Sequence, residues 1–473
     1  MNDERKVFPV LMCLACGIFF LSVIFEILSS RGLYADGAYV FIKTLQAQGF
    51  VSMFWLRHFS FYIFEFPLVL AIKLGVTNFF WLRLAYGLGC FLPWPVVLTC
   101  CYWISPKNFW LAAAGCAAGY LNTAFMAVGG NVFADLLFWP SLFALLFATP
   151  LRPATAIILL VSATGILFEY ESQLFLCLPL ASLALWRTYQ EKKEGNRSWI
   201  VFLIAAVLFT ASVSIGLCGV LMPENPANFS GFKANALGIL THMGWTLGWT
   251  LAWIALALAA SFSETFWRIV RGKPGVYFLL LLLLLWGGWP MLAPNHWDNG
   301  VQYDDRVMDM LAPLGLLPAA LILRFRPQWI ELKRKPLEVL AAAMFAAQSL
   351  WQISATIHWY QDVVWMRETL ASHRGIIPVQ STAFAADGMG GRELRPNSIG
   401  GRFDWTWPCL SLALCPDPKI KSFVCSEVFL NPAIRAHYWQ PFDPLDPKTL
   451  PDLQHFGVDY SDYISAISAP PQK

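Results

Sequence analysis

The sequence predicts an all-α polytopic membrane protein. It has about 11 transmembrane helices (N-terminus in, C-terminus out), interfacial helices in the first outward loop, and a small mixed C-terminal soluble cap. Three observations carry this prediction. Of 473 residues, 57% are hydrophobic and 13% charged, with a mean hydropathy of +0.53, whereas a soluble chain carries about 25% charged residues. The apolar residues fall in blocks of roughly 16 to 25, the helical length that crosses ~30 Å of hydrocarbon. Lys and Arg concentrate in alternate loops, as the positive-inside rule requires. The net charge of +3 says little beside that asymmetry.

The first apolar run, 7–28, follows "MNDERK". It is longer than the apolar core of a signal peptide and no A-x-A-like cleavage site follows, so it reads as a retained span. Further spans are expected at 79–103, 110–127, 132–149, 154–168, 172–187, 199–221, 237–260, 275–291, 306–323 and 337–357. With the N-terminus inside, the inward loops hold Lys107, Arg152, Arg187, Lys192, Lys193, Arg197, Arg268, Arg271, Lys273, Arg324, Arg326, Lys333, Arg334 and Lys335. The outward loops contain "VGGN", "FEYES", "MPENPANFSGFKAN" and "APNHWDNGVQYDD", which are acid-rich and nearly free of Lys and Arg.

One apolar segment, "FSFYIFEFPLVLAIKLGV" at 59–76, breaks the alternation if it crosses. Glu65 and Pro67 lie in its middle, and an acid at mid-bilayer costs several kcal/mol, of order 3. It is therefore expected to lie in the outer interface or to dip in and return. Residues 29–78 then form one outward segment with helices near 37–49 and 60–74. In the first of these, Tyr39, Ile42 and Leu45 make an apolar stripe against Lys43, Gln46 and Gln48, the pattern of an interfacial helix.

The composition changes at His358, where charge, Pro and Gly rise ("DGMGGRELRPNSIGGRFDWTWP", "PFDPLDPKTLPD"). Two domains are expected: a transmembrane domain over 1–357 and an extracytoplasmic one over 358–473, with short strands or helices. Of 11 cysteines, eight lie in apolar runs; Cys409, Cys415 and Cys425 lie in the tail. Outside the membrane these three face an oxidising compartment, where either a Cys409–Cys415 or a Cys415–Cys425 bridge is open to them.

Several function classes find no support. There is no Walker A loop, no GxGxxG after a strand, no HExxH and no GxSxG. No basic–aromatic array points to nucleic acid. The inward loops are too short for a cytosolic nucleotide-binding domain.

The stretch "GLYADGAYVF" follows the first span and holds one carboxylate, Asp36. As an Asp before a helix starting near Gly37, it is a candidate N-cap. As an ionisable group near a membrane face, it is equally a functional candidate. Gly37 admits close approach of a backbone or ligand, and Tyr34 and Tyr39 stand beside the acid.

A first span, an outward loop opening with Asp, two surface helices and the span entry "FFWLRLAYGLG" together resemble the GT-C superfamily of membrane glycosyltransferases. In "FEFPLVLAIKLGVTNFFWLRL", Pro67 and Arg83 match the family's Pro-containing helix and the Arg heading the second span. The likeness covers the first 150 residues best and the middle spans by topology only. Many relatives carry two acids near this motif and "ADGAY" carries one, which leaves the part of a divalent cation (Mg or Mn) open. The resemblance implies an inverting transfer of a sugar from a polyprenyl-phosphate donor to a lipid, glycan or protein acceptor, with Asp36 as the base. The compactness of the chain points to a bacterial inner membrane with the site facing the periplasm, and an endoplasmic-reticulum location stays open beside it.

The remaining candidates sit on outward segments. Arg306 heads the tenth span and resembles the family's phosphate-contacting Arg, with a fork that suits phosphate; its bland reading is an interfacial anchor or a partner for Asp304, Asp305 or Asp309. Arg57 and His58 ("WLRHF") are further phosphate candidates. Asp135, Glu169, Glu171 and His296, with Tyr39, are candidates for sugar or acceptor contacts; helix-end acids in water are the alternative for the carboxylates. Two other functions stay open: a transporter or flippase of a lipid-linked glycan, which would want acids or broken helices at mid-bilayer, and a non-catalytic envelope-assembly component.

Overall fold

The computed structural model describes residues 4–51, 58–119, 121, 130–169, 173–222, 301–331, 334–378, 406–415, 417–425 and 442–468. It is mostly helical: α1 Glu4–Leu28, α2 Asp36–Ala47, α3 His58–Lys73, α4 Phe79–Phe91, α5 Pro93–Ile104, α6 Phe109–Ala118, α7 Gly130–Phe147, α8 Pro153–Gly165, α9 Gln173–Lys193, α10 Trp199–Leu221, α11 Val301–Phe325 and α12 Arg334–Ser372. Strand β1 (Gly375–Pro378), helix α13 (Trp407–Leu414), strand β2 (Ser422–Cys425) and helix α14 (Ser461–Ser468) complete the C-terminal part. Four helices among the described residues are long and apolar enough to cross a membrane: Val10–Leu28, Phe79–Ile104, Trp199–Leu221 and Leu337–Ser372. Val132–Phe147, Pro153–Phe168 and Met310–Phe325 are shorter apolar helices. The expected spans at 237–260 and 275–291 lie outside the described residues.

Pattern explains much of this. Leu92 separates α4 from α5, and Pro93 at the first position of α5 fits because that residue's N–H would be unbonded in any case. Asn78 caps α4 by accepting from the Phe80 N–H at 2.9 Å. Helices α3 and α4 form an antiparallel pair around Gly75. They touch so closely that a side chain at Gly89 would collide with the Phe64 carbonyl, the small-residue contact that lets backbones meet in membrane bundles. Helix α12 packs along α1 and α6, α9 along α10, and α7 against α5, α8, α9 and α11.

One expectation is corrected and two gain detail. Helix α2 starts at Asp36 itself; Ala35 takes the cap position and makes no side-chain cap bond, so Asp36 is the first helical residue and not the N-cap. Tyr39, Ile42 and Leu45 are buried, but so are Ala38, Val40, Phe41 and Thr44. The apolar face of α2 is therefore wider than the stripe and is covered by α3, the turn after α1, and α13, while the polar side holds as expected, with Lys43 half-buried and Gln46 and Gln48 exposed. Finally, α12 runs unbroken through residues 357 and 358, where the composition changes. At 39 residues it is longer than any bilayer needs, and its last turns belong to the C-terminal part.

There β1 and β2 pair in parallel, Gly375 opposite Ser422 through Pro378 opposite Cys425. Phe423 stacks among Phe442, Tyr460 and Tyr463. Cys409, Cys415 and Cys425 are all free thiols, with Cys409 and Cys425 buried; neither anticipated bridge is formed.

Candidate functional site

The segment between α1 and α2 is built like a clamp. Ser30 ends α1 in the left-handed conformation (φ 59, ψ 32), a position usually given to Gly. A single 3-10 turn, Arg31–Leu33, follows. Then Ala35 adopts φ 51, ψ −125, and the Gly37 N–H donates to the Tyr34 carbonyl at 3.0 Å. This is a type II′ turn with Ala where Gly is preferred, so the backbone is strained one residue before the acid. From Ser29 to Ile42 every residue is buried except Asp36, which is partly exposed.

Surrounding groups hold the strained segment. Arg31, 0% exposed, donates from Nη1 to Glu26 Oε1 at 2.9 Å and to Thr356 Oγ1 at 3.1 Å. Ser22 Oγ donates to the same Glu26 oxygen at 3.0 Å. The Arg31 guanidinium also lies 5.9 Å from the Phe91 ring centroid. Trp359 Nε1 donates to the Ser29 carbonyl at 3.2 Å, and the Trp359 ring stands edge-on to Tyr34. The turn is thus tied to α1, α4 and α12 at once.

On the other side of Asp36, Tyr86 is buried among Phe41 and Phe64. Its hydroxyl has no hydrogen-bond partner among the described residues, and the Asp36 and Glu65 carboxylates both bear on it. Glu65 Oε2 accepts the Val51 N–H at 2.8 Å, which pins the chain between α2 and α3. Burial pushes the Glu65 carboxyl up to about 8, against the pull of that hydrogen bond. Tyr39 is buried below α13; burial, then Cys409 and Asp36, push its phenol up to about 12.

The other candidates lie in varied places. His58 stacks on Tyr62 and meets Phe168 edge-on. Beside it an apolar groove of about 650 Å³ runs between α3 and α8, lined by Phe59, Tyr62, Ile63, Val161 and Thr164 among others. Glu169 is buried and accepts the Ser60 hydroxyl, while its N–H donates to Gln173 Oε1 at 3.2 Å; it fastens α3 to the start of α9. Asp135 is fully buried in α7, where its Oδ1 accepts Trp139 Nε1 at 3.1 Å. A Cβ at Gly119 would stand 2.6 Å from its Oδ2. Glu169 and Asp135 therefore face packed interior rather than a watered rim. Arg306 belongs to α11, and Arg57, Glu171 and His296 lie outside the described residues. Among the described residues, no three His, Cys, Asp or Glu side chains converge as a metal site.

Sequence reasoning missed Glu26, Arg31, Tyr86 and the role of Trp359. One signal was available: Glu26 is an acid inside an otherwise apolar span, and such a residue needs a partner. The partner, Arg31, stands just past the span's end. Comparison of the chain with protein families, curated proteins and solved structures finds no match.

Proposed function

We propose that the chain is an integral membrane glycosyltransferase, inserted with its N-terminus inside and its C-terminal part in the periplasm of a bacterial inner membrane. It moves a sugar from a polyprenyl-phosphate donor to an envelope acceptor. The observation that carries this reading is Asp36: one partly exposed carboxylate in a buried, strained and multiply anchored turn at the end of the first long apolar helix. Strain of this kind concentrates where a residue must be held in place. The likeness of the first 150 residues to GT-C enzymes supports the same reading.

In the reaction, the acceptor hydroxyl attacks the anomeric carbon and Asp36 takes its proton. The bond from that carbon to the lipid phosphate breaks on the opposite face, so configuration inverts, as in inverting hydrolysis with the acceptor in place of water. The phosphate leaves with the electron pair, and cationic groups hold its charge; Arg306, Arg57 and His58 are assigned to that task. The apolar groove beside His58 has room for part of an isoprenoid chain. Tyr39, Glu171 and His296 are assigned to the sugar and acceptor side, while Asp135 and Glu169, fully buried on Trp139 and Ser60, hold the packing around it.

The test supplies labelled polyprenyl-phosphate sugars to membranes holding wild type or Asp36→Asn at matched levels. Label should reach a lipid, glycan or protein fraction with wild type, and the variant should lose ~10²–10⁴ in rate. Equal transfer by both removes Asp36 from the mechanism.

A further inference from the structure

Helices α9 and α11 both end where α7 ends: Arg187 Nη2 of α9 reaches the Ala148 carbonyl, just past α7, at 3.0 Å. This end of the bundle lies far from Asp36. On α12, which starts at Arg334, the residue that touches the Asp36 turn is Trp359, about 37 Å further along the helix.

Trp186 of α9 forms the junction with α11. Its ring stands edge-on to Phe325, with centroids 5.0 Å apart. The guanidinium carbons of Arg187 and Arg324 each lie 6.0 Å from the Trp186 centroid, at the outer range of a cation–π contact. What else holds the two arginines differs. Arg187 is buried and paired with Glu191 at 2.8 Å. Arg324 is half-buried, and among the described residues it has no ion-pair partner. The acids of this end are taken: Glu191 also accepts from Asn196 and Ser198, and Glu338 holds Arg334 at 2.6 Å. Lys193, seven residues after Trp186, returns to the same side of α9 and is exposed, as is Arg326. Large apolar side chains of the same segments also face outward: Leu185, Tyr189, Phe325 and Trp329.

Exposed apolar side chains bordered by unpaired cations match the level in a bilayer where acyl chains give way to headgroup phosphates. The planar fork of Arg fits phosphate oxygens. We propose that the α9–α11 junction binds the headgroup of an anionic phospholipid. Arg324, held against Trp186, takes the phosphate together with Lys193 and Arg326, and the outward apolar side chains lie along the acyl chains. Charge selects this occupant: a zwitterionic lipid brings its own cation to a site that is already cationic. A free anion would leave the apolar border uncovered. The site is at the opposite end of the bundle from Asp36, and it rests on insertion in a bilayer, not on sugar transfer.

The test offers the purified full-length chain, in a neutral detergent, equal amounts of dioleoylphosphatidylglycerol and dioleoylphosphatidylcholine. Retained lipid is counted by native mass spectrometry. Wild type should keep the anionic lipid roughly tenfold over the zwitterionic one. Arg324→Gln should bring the ratio close to one, and Arg324→Lys should keep part of the preference. Lys192→Gln is the control, because the Lys192 ammonium lies 5.6 Å from the Trp199 ring on the α10 side; it should leave the ratio unchanged. Among the described residues the Arg324 side chain makes no ion pair, so Arg324→Gln should melt as wild type does. Equal retention of both lipids by wild type, or an undiminished preference in Arg324→Gln, overturns the proposal. So does an equal loss in Arg324→Gln and Lys192→Gln, which assigns the preference to diffuse surface charge. Displacement of the anionic lipid by inorganic phosphate overturns the choice of a lipid as occupant. The readout is binding, so a chain that transfers no sugar can still pass this test, and one that transfers sugar can still fail it.

Discussion

Arg31 Nη1 lies 2.9 Å from Glu26 Oε1, and both side chains are 1% exposed. The pair bridges the end of α1 and the turn that leads to Asp36. Breaking a buried pair leaves one charge stranded, which costs about 3–5 kcal/mol, whereas replacing both partners by apolar residues of similar size is often neutral. Glu26→Ala should therefore lower the thermal unfolding temperature in detergent sharply, and Glu26→Leu with Arg31→Met should recover most of the loss. If the single substitution leaves the melting temperature where it was, the pair does not hold the turn.

Ala35 occupies a backbone conformation that suits Gly (φ 51, ψ −125). Glycine there removes strain of order 1 kcal/mol, set against the extra freedom it gives the unfolded chain. Ala35→Gly should leave the protein as stable or slightly more so, and Ala35→Val should destabilise it by roughly 1–3 kcal/mol. Thermal melts of the two variants side by side check this, and equal melts would mean the turn is not strained.

Glu65 adds a pH dependence. Its carboxyl is raised from 4.5 to about 8, chiefly by burial. The folded state therefore binds more protons than the unfolded one between those values. The contribution to stability is fully present below the unfolded value and is lost as pH rises through about 8. Glu65→Gln should flatten that decline and melt higher than wild type at pH above 8. The same slope in both proteins would assign it to other groups.

Gly89 is the closest point between α3 and α4, where an added Cβ meets the Phe64 backbone rather than a movable side chain. Gly89→Ala should cost about 1–3 kcal/mol as overpacking. Gly17 is a useful control, since a Cβ there meets nothing within 4 Å and Ala favours a helix. The yield of monodisperse protein and its melting temperature should fall for the first and hold for the second.

Much of the framework was legible before folding is considered. Helices stand where long apolar runs at 7–28, 79–103, 199–221 and 337–357 predicted them, because in hydrocarbon a segment must satisfy its own backbone hydrogen bonds. The surface helices after the first run were also legible, within a residue or two at each end. What stood beside Asp36 was not. Its neighbours Tyr86 and Glu65 come from α4 and α3, and Trp359 reaches the turn from more than three hundred residues along the chain. No local period encodes such a meeting. The acids at 135 and 169 mislead for a related reason: their positions near helix ends suggest water, and only packing shows that α3, α7 and α9 close over them.

By itself the sequence determined the class of molecule, because hydropathy and the length of apolar runs act locally and a bilayer leaves few alternatives. It also singled out Asp36 as the one acid of its stretch. Only the tertiary structure decided that this acid sits on a strained turn, that Arg31 and Glu26 lock the turn, and that Arg83 reaches the Ala413 carbonyl of α13. Those arrangements depend on which helices cross and at what depth. Packing between distant segments sets that, and each contact gains its energy only once all the others are in place.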